Sequence, residues 1–475
     1  MSSTPFPWRS GAWLWGAVLV LVAVGIAFFP PAAVSVAAGG LAVAIWRWPR
    51  RLTELLVFVI LAVRPSLDLF GERRFGLGPF ALNPAVAFGL GVLFAGLVLA
   101  LRRGRDGRRL WPDGALLHAH LWLFAAYGIG ALAGAVHYGG TGMAEGLREI
   151  LRVGSIVAAF LVVLWWAGDD ARAFRRGWVY LVLGLVPPLG VAVVQLFTGT
   201  GYLETAGFNR IQGTFSHPNS FGIYLVPFIL AAVGGLNAAS PLGRLARVLA
   251  AGGLTLMVAL TYSRTSILVL VAALAVLPLL HARRLGLRGL VRAGLVVLVF
   301  AALGWFLVGD LVRERFSGVN ISLEAFEAAE LGQSENSFGW RLINWGILVS
   351  LGMNHPWTGH GAGMTTVLNP LVNSENGVPF NAHDDFVRFF FEAGLLGLVC
   401  YVVYGVLLTR WGVHQARALP PDRAPQGFAV VASLLALLFL TAGAPELSLN
   451  TAVLYELLGM LGLLSAPQET PGGGV

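Results

Sequence analysis

Residues 244–284 read RLARVLAAGGLTLMVALTYSRTSILVLVAALAVLPLLHARR. Two apolar runs, 246–262 and 265–281, meet at Tyr262-Ser263-Arg264-Thr265-Ser266 with almost no loop between them. Arg244 and Arg247 precede the pair, and Arg283 and Arg284 follow it. A run of about 20 apolar residues spans bilayer hydrocarbon as a helix. The stretch therefore predicts a membrane hairpin with both basic ends on one side and a single arginine at its tip.

The rest of the chain repeats this pattern. Of 475 residues, 57% are hydrophobic and 12% charged, whereas a soluble domain carries about 25% charged residues. Mean hydropathy is +0.75. Candidate spans fall at 12–29, 31–46, 52–65, 80–101, 114–136, 147–167, 177–198, 219–236, 246–262, 265–281, 289–308, 384–409, 426–443 and 449–466. Counting 12–46 as one re-entrant hairpin and discounting the short 52–65 lowers the number from fourteen toward twelve. The first run follows Arg9 and leads through Pro30–Pro31 into more apolar sequence, so it reads as an uncleaved span. The expected fold class is an all-α polytopic membrane protein.

The net charge of +8 comes from 32 basic residues, all arginine. They gather in short loops: 47–51, 102–109, 172–176, 244–247, 283–292 and 410–423. All six fall on one side when every span is counted, and the positive-inside bias makes that side cytoplasmic. The pair Arg73 and Arg74 lands outside and has no account. Arginines confined to loops exclude a nucleic-acid face, which needs a basic surface on a soluble domain. The lone Cys400 lies in an apolar run and excludes a disulfide framework.

The opposite side holds 137–146, 199–218, the turn at 262–265, the long stretch 309–383 and 443–448. The 309–383 stretch carries Asp310, Glu314, Glu324, Glu327, Glu330, Glu335 and Glu375. It is expected to be a periplasmic subdomain, with a polar helix over Val312–Leu331 and a Gly-, Asn- and Pro-rich second half. Three parts follow: an N-terminal helix bundle (1–308), this loop (309–383), and C-terminal helices with a short tail (384–475).

Four extracytoplasmic motifs carry chemistry. They are Arg210 through Asn219, with His217; Tyr262 through Ser266, with Arg264; Trp340-Arg341 followed by His355-Pro356…Gly359-His360-Gly361; and His383-Asp384-Asp385 at the start of a span. An arginine at the membrane boundary is costly and a functional suspect, although snorkelling to headgroups also explains one. Several arginines on one face suit a lipid phosphate or pyrophosphate, which guanidinium binds bidentately. His383 has the right unperturbed pKa, about 6.5, to accept a proton from a hydroxyl; a helix-capping histidine is the alternative. The spacing of His217, His355 and His360 matches no zinc template. No acidic pair matches a magnesium motif, although Asp384–Asp385 keeps that option open. Gly359, Gly361 and Gly363 do not follow a strand, so they read as a turn and not a nucleotide loop. Arg388 and Glu392, spaced i and i+4, read as a structural pair.

These motifs resemble the O-antigen ligase and O-antigen polymerase superfamily over about 200–400. The resemblance implies a glycosyltransferase C-like fold of about 12–14 helices with one large helical periplasmic loop, in the bacterial inner membrane. It implies a glycan donor on undecaprenyl pyrophosphate, held by Arg210 and Arg264 with Arg341 nearby. His383 would activate the acceptor hydroxyl, with inversion and no metal or other cofactor. His217, Asn219, His355, His360, Asp384 and Asp385 are expected to contact the acceptor or support the site. The ligase signature is His, then Asn, Ser or Gln, nine residues, and Gly-x-x-Gly. His383, Gly394 and Gly397 fit it, while Asp384 departs from it. Ligase and polymerase thus both stay open, with lipid A-core or a growing glycan as acceptor and membrane lipids around the protein. A polytopic transporter or flippase for a lipid-linked or anionic substrate is the alternative; it would place charges at mid-span on repeated halves.

Overall fold

In the computed structural model, the described residues are 39–40, 42–44, 46–71, 75–77, 80–203, 209–236, 240–280, 291, 294–295, 337–372, 379–440 and 451–467. The span expected at 12–29, most of those at 31–46 and 289–308, the helix expected over Val312–Leu331, Arg73, Arg74, the acidic residues 310–335 and Glu375 lie outside them, as do the segment 443–448 and the tail Gly472–Gly474.

The described chain is almost wholly helical. Helix α1 (Pro49–Phe58) runs on through a wide turn at Val59–Val63 and a tight one at Arg64–Phe70. A two-stranded ribbon, β1 (Phe75–Leu77) with β2 (Phe80–Leu82), leads into α2 (Pro84–Arg105). Then come α3 (Gly114–Gly168), α4 (Ala173–Thr198), the ribbon β3 (Tyr202–Leu203) with β4 (Asn209–Arg210), α5 (Pro218–Gly234) and α6 (Pro241–Leu260). Helix α7 (Arg264–Leu280) follows. The rest are α8 (Ser337–Gly352), the single turn α9 (Thr365–Leu368), α10 (Asp385–Ala418), α11 (Ala424–Leu440) and α12 (Thr451–Leu463). Five helices among the described residues, α2, α3, α4, α6 and α10, are long and apolar enough to cross a membrane.

Local chemistry sets the helix starts. Pro84, Pro218 and Pro241 occupy first-turn positions, where a missing N–H costs nothing. Asn83, Asp113, Ser240 and Asp384 accept backbone N–H bonds as N-caps.

Two helices contain breaks. In α3, Gly139 has φ 58° and ψ −128°, so the element is a tight hairpin of two helices. A Cβ on Gly142 would overlap the Gly134 backbone, and one on Gly146 would meet Ala131, which pairs the arms face to face. The loop expected at 137–146 is therefore only a turn: glycines let the arms close where side chains would hold them apart. In α10, Gly394 has φ 66° and ψ −167° and interrupts the span expected to run unbroken over 384–409. A further difference is α8, an ordered helix packed on α10 within the second half of the 309–383 stretch.

Among the described residues, the arginine loops 102–109, 172–176 and 410–423 gather around Asp169, Asp170 and Phe174 at one end of the bundle. Arg103 and Arg108 both bind Asp169 at 3.0 and 2.9 Å, Arg176 pairs with Asp170 and Glu54, and Arg423 lies over the Phe174 ring at 5.4 Å. The interior carries a second charge network. Arg388, 2% exposed, binds Glu149 at 2.7 Å and Glu392 at 3.1 Å. Arg152 also pairs with Glu149, and Thr365 donates to Glu392 at 2.8 Å. The i, i+4 pair expected from spacing is thus present, and it extends across α3 and the α9 turn.

Removing one member of a buried ionic set costs about 3–5 kcal/mol, because its partners stay desolvated. Arg388→Met is expected to destabilise the protein by that amount in a detergent melt. Arg388→Met with Glu392→Met is expected to recover part of the loss, and a double-mutant cycle measures the coupling.

Candidate functional site

The Arg210–Asn219 stretch is held in place by backbone bonds. Tyr202 pairs with Arg210 in the β3–β4 register. The Gln195 side-chain oxygen accepts from the N–H groups of Gln212 and Gly213, each at 3.0 Å, and Thr214 donates to the Pro65 carbonyl at 2.7 Å. At the start of α5, the His217 Nδ1 accepts from the Asn219 N–H at 3.1 Å. That bond leaves the neutral ring's proton on Nε2.

Arg210, 6% exposed, points into the α6–α7 hairpin tip. Its Nε donates to the Thr261 carbonyl at 2.8 Å, and an Nη donates to the Asn219 side-chain oxygen at 3.1 Å. The tip turns through Tyr262 at φ 49°, and Ser263 then caps α7, accepting from the Ser266 N–H at 3.1 Å. Ser266 also donates to the Asn219 carbonyl at 3.1 Å. Gly222 permits this approach, since a Cβ there would collide with the Ser266 hydroxyl. Arg264 is the first residue of α7 and is half-buried at this junction. Two motifs far apart in sequence, Arg210–Asn219 and Tyr262–Ser266, thus form one unit.

His383 stands between Ala382 and the helix cap Asp384, with a left-handed φ of 55°. Side chains of α8 frame it. Asn344 donates to the Asn381 carbonyl at 2.8 Å, and Trp345 Nε1 donates to the Ala382 carbonyl at 2.8 Å. The Trp340 ring meets the imidazole edge-on, with centroids 5.5 Å apart. Burial, then the positive charge of Arg341, then that of His217 push its pKa down to about 3. His383, Arg341 and His217 therefore share one electrostatic neighbourhood, and His217 links it to the Arg210 unit. The neutral imidazole is the form able to accept a proton.

The Gly-x-x-Gly half of the signature has a structural meaning here. The break at Gly394 leaves peptide groups of α10 without helical partners, and the 356–361 turn supplies them. His360 and Gly361 donate to the Phe391 and Glu392 carbonyls at 2.8 and 2.9 Å; the Leu395 N–H reaches the Pro356 carbonyl at 2.8 Å. A Cβ on Gly394 would overlap the Trp357 carbonyl carbon, and one on Gly359 would overlap Glu392. The Gly361 backbone in turn lies against Gly134 of the α3 hairpin.

Other expected site residues go elsewhere. The His360 Nε2 bonds the Leu351 carbonyl at 2.8 Å, and its Nδ1 bonds the Tyr138 hydroxyl at 2.6 Å. A carbonyl only accepts, so the ring is the Nε2–H tautomer and both nitrogens are committed. His355 stacks on His137 at 4.0 Å, and burial, then His137 and His360, lower its pKa. The contacts of His355 and His360 thus form a second cluster that secures the docking turn. Asp385 is fully buried and accepts from the Tyr401 hydroxyl at 2.9 Å. Asp384 caps α10 through the Val387 N–H at 2.7 Å, and burial with the charge of Asp385 raises its pKa to about 6. The second signature position is thus an N-cap, which Asp fills as well as Asn or Ser does.

Sequence reading missed Gln195, Tyr138, His137 and Arg64. Arg64, 2% exposed, binds Asp68 and Thr451, each at 2.8 Å, just before the Pro65 carbonyl that holds Thr214. A lone arginine within an apolar run was the available signal for it.

Residues 249–402 match the family model described as O-antigen ligase. The chain is a polytopic helical membrane protein, and the match supports its place in the O-antigen ligase and polymerase superfamily, with glycan transfer of that general type. The matched region includes Arg264, Arg341, the 355–361 turn, His383, Gly394 and Gly397; Arg210 and His217 precede it. No curated protein matches the chain.

Gly394→Ala is expected to cost more than about 2 kcal/mol, because a left-handed strained residue and a backbone collision coincide. Asp384→Asn keeps the cap and is expected to leave the melting temperature within experimental scatter. Thermal melts of the two variants in one detergent test the contrast.

Proposed function

We propose that the protein transfers a glycan from undecaprenyl pyrophosphate to an acceptor hydroxyl at the periplasmic face of the inner membrane. The observation that carries this reading is the joining of the Arg210–Asn219 and Tyr262–Ser266 motifs into one unit, together with the His383 imidazole that burial, then Arg341 and His217, keep neutral. The opposite end of the bundle, where the arginine loops meet, would face the cytoplasm.

Arg210, Arg264 and Arg341 would grip the diphosphate. Fixed guanidinium groups stabilise charge that grows on a departing pyrophosphate without reorganising. The acceptor oxygen attacks the anomeric carbon opposite the leaving group, and the carbon–oxygen bond to phosphate breaks with inversion. The hydroxyl proton passes to His383, and undecaprenyl pyrophosphate departs. No metal is required, since the arginines take its electrostatic role. The commitment of both His360 nitrogens to protein partners favours this version. Donor binding also activates the base. The diphosphate would offset the part of the lowering that Arg341 and His217 contribute, so the His383 pKa would rise, while burial still keeps the imidazole neutral.

Lipid A-core and a growing glycan both remain acceptors under this reading. Uncapped core with accumulated lipid-linked polymer in a deletion strain would identify a ligase, and single repeats on core would identify a polymerase.

His383→Ala and Arg264→Ala are each expected to lower transfer by at least about a hundredfold, with the proteins still folded in the membrane and chelators without effect. Near-normal transfer by either variant, measured on purified donor and acceptor, would remove its assigned role.

The pH profile supplies a separate test. The acid limb of kcat/KM reports the free enzyme, so it should lie below about pH 5, under the ordinary histidine value. The limb of kcat, which reports the donor complex, should lie higher. Arg341 lowers the His383 pKa, so Arg341→Gln should move the kcat/KM limb upward; a downward or absent shift contradicts the arrangement.

A further inference from the structure

The arginines and His383 account for a diphosphate and a proton, but a sugar lies between them in any glycosyl donor. Two aromatic rings flank this polar centre. On one side Trp340, at the start of α8, meets His383 edge-on at 5.5 Å and 73°, and rests against Phe380 at 4.6 Å. Trp340 is half-buried. On the other side Tyr202, 36% exposed, tilts against His217 with centroids 5.0 Å apart. His217 and His383 are near enough for the charge of one to act on the other.

The Trp340 ring is also well supported. One turn further along α8, Asn344 and Trp345 bond the Asn381 and Ala382 carbonyls that lead into His383. Ring and imidazole are thus fixed to the same frame, as a platform beside a reacting carbon requires.

We propose that Trp340 is the sugar-stacking residue of the site, taking the C–H face of the pyranose attached to pyrophosphate, with Tyr202 as a second aromatic contact beside His217. The electron-rich face of indole attracts polarised C–H groups while its body shields them from water. A bare lipid chain would fit poorly, because it would desolvate the surrounding imidazoles and guanidiniums while offering them no hydrogen bond. A free cation is disfavoured by the arginines. A pyranose has both the apolar face for the ring and the hydroxyls for the polar centre. The assignment rests on the glycan-transfer reading and adds the group that recognises the sugar.

The test uses the full-length protein in detergent and three lipids: undecaprenyl pyrophosphate, and the same lipid carrying N-acetylglucosamine or galactose. Dissociation constants are measured by thermophoresis. Wild type is expected to bind at least one sugar-bearing lipid more tightly than the bare one. Trp340→Ala should weaken that binding about three- to tenfold, with the bare lipid changed less than about twofold. Trp340→Phe should retain most of the preference. Equal weakening of all three lipids by both variants, an unchanged preference, or a wild type that prefers neither sugar overturns the proposal. If Trp340→Ala does not fold, the Trp340→Phe and Tyr202→Ala ratios decide. Arg210→Ala separates the two readings: it should weaken all three lipids, and if it does not, the phosphate assignment fails independently of the tryptophan.

Discussion

A peptide group in hydrocarbon must be hydrogen-bonded, because no water is present to take the place of a partner. This protein breaks α10 at Gly394 and answers the break with a turn from elsewhere in the chain. The amides of His360 and Gly361 and the carbonyl of Pro356 substitute for the missing helical partners. That exchange fixes the short N-terminal piece of α10, with Asp384 as its cap and His383 just ahead of it. The histidine's left-handed backbone, its frame of α8 side chains and its cationic surroundings depend on this piece being held.

The bundle separates its charges by role. At one end Arg103, Arg108 and Arg176 are paired with Asp169, Asp170 and Glu54, and their work is to close loops. Inside, Arg388 joins Glu149 and Glu392 and locks α10 to α3 beneath the docking turn. At the other end Arg210 bonds neutral oxygens, a carbonyl and an amide, through Nε and one Nη. Those partners orient the guanidinium at the hairpin tip.

Much of this was legible in the chain itself. Apolar runs bounded by arginines gave most helices within a few residues, and the hairpin tip at Arg264 followed from the near absence of loop. The chemistry-bearing motifs were visible because polar residues stand out in so apolar a sequence. Contacts between motifs were not visible. Nothing in the spacing of His360 reveals that Leu351 and Tyr138 occupy both its nitrogens, so it read as a residue that contacts the acceptor or supports the site. Gly394 stood out by its signature spacing from His383, but the backbone break there was not visible, because it matters only once the distant 356–361 turn meets it. The helix α8 was hidden by its Gly- and Asn-containing surroundings, and Arg64 by the apolar run around it. Pairings over long sequence separations decided each of these, and period and composition carry no record of such pairings.

At the junction of Gly134, Gly142 and Gly361, three stretches of main chain touch with no side chain between them. Side chains yield by changing rotamer, whereas backbone packed on backbone has no such slack. The α3 hairpin and the 356–361 turn therefore behave as one stiff block, and the helix piece bearing His383 is attached to it. A substrate arriving at that wall meets a mould already set, so discrimination there depends on the visitor's shape more than on any closing movement of the host.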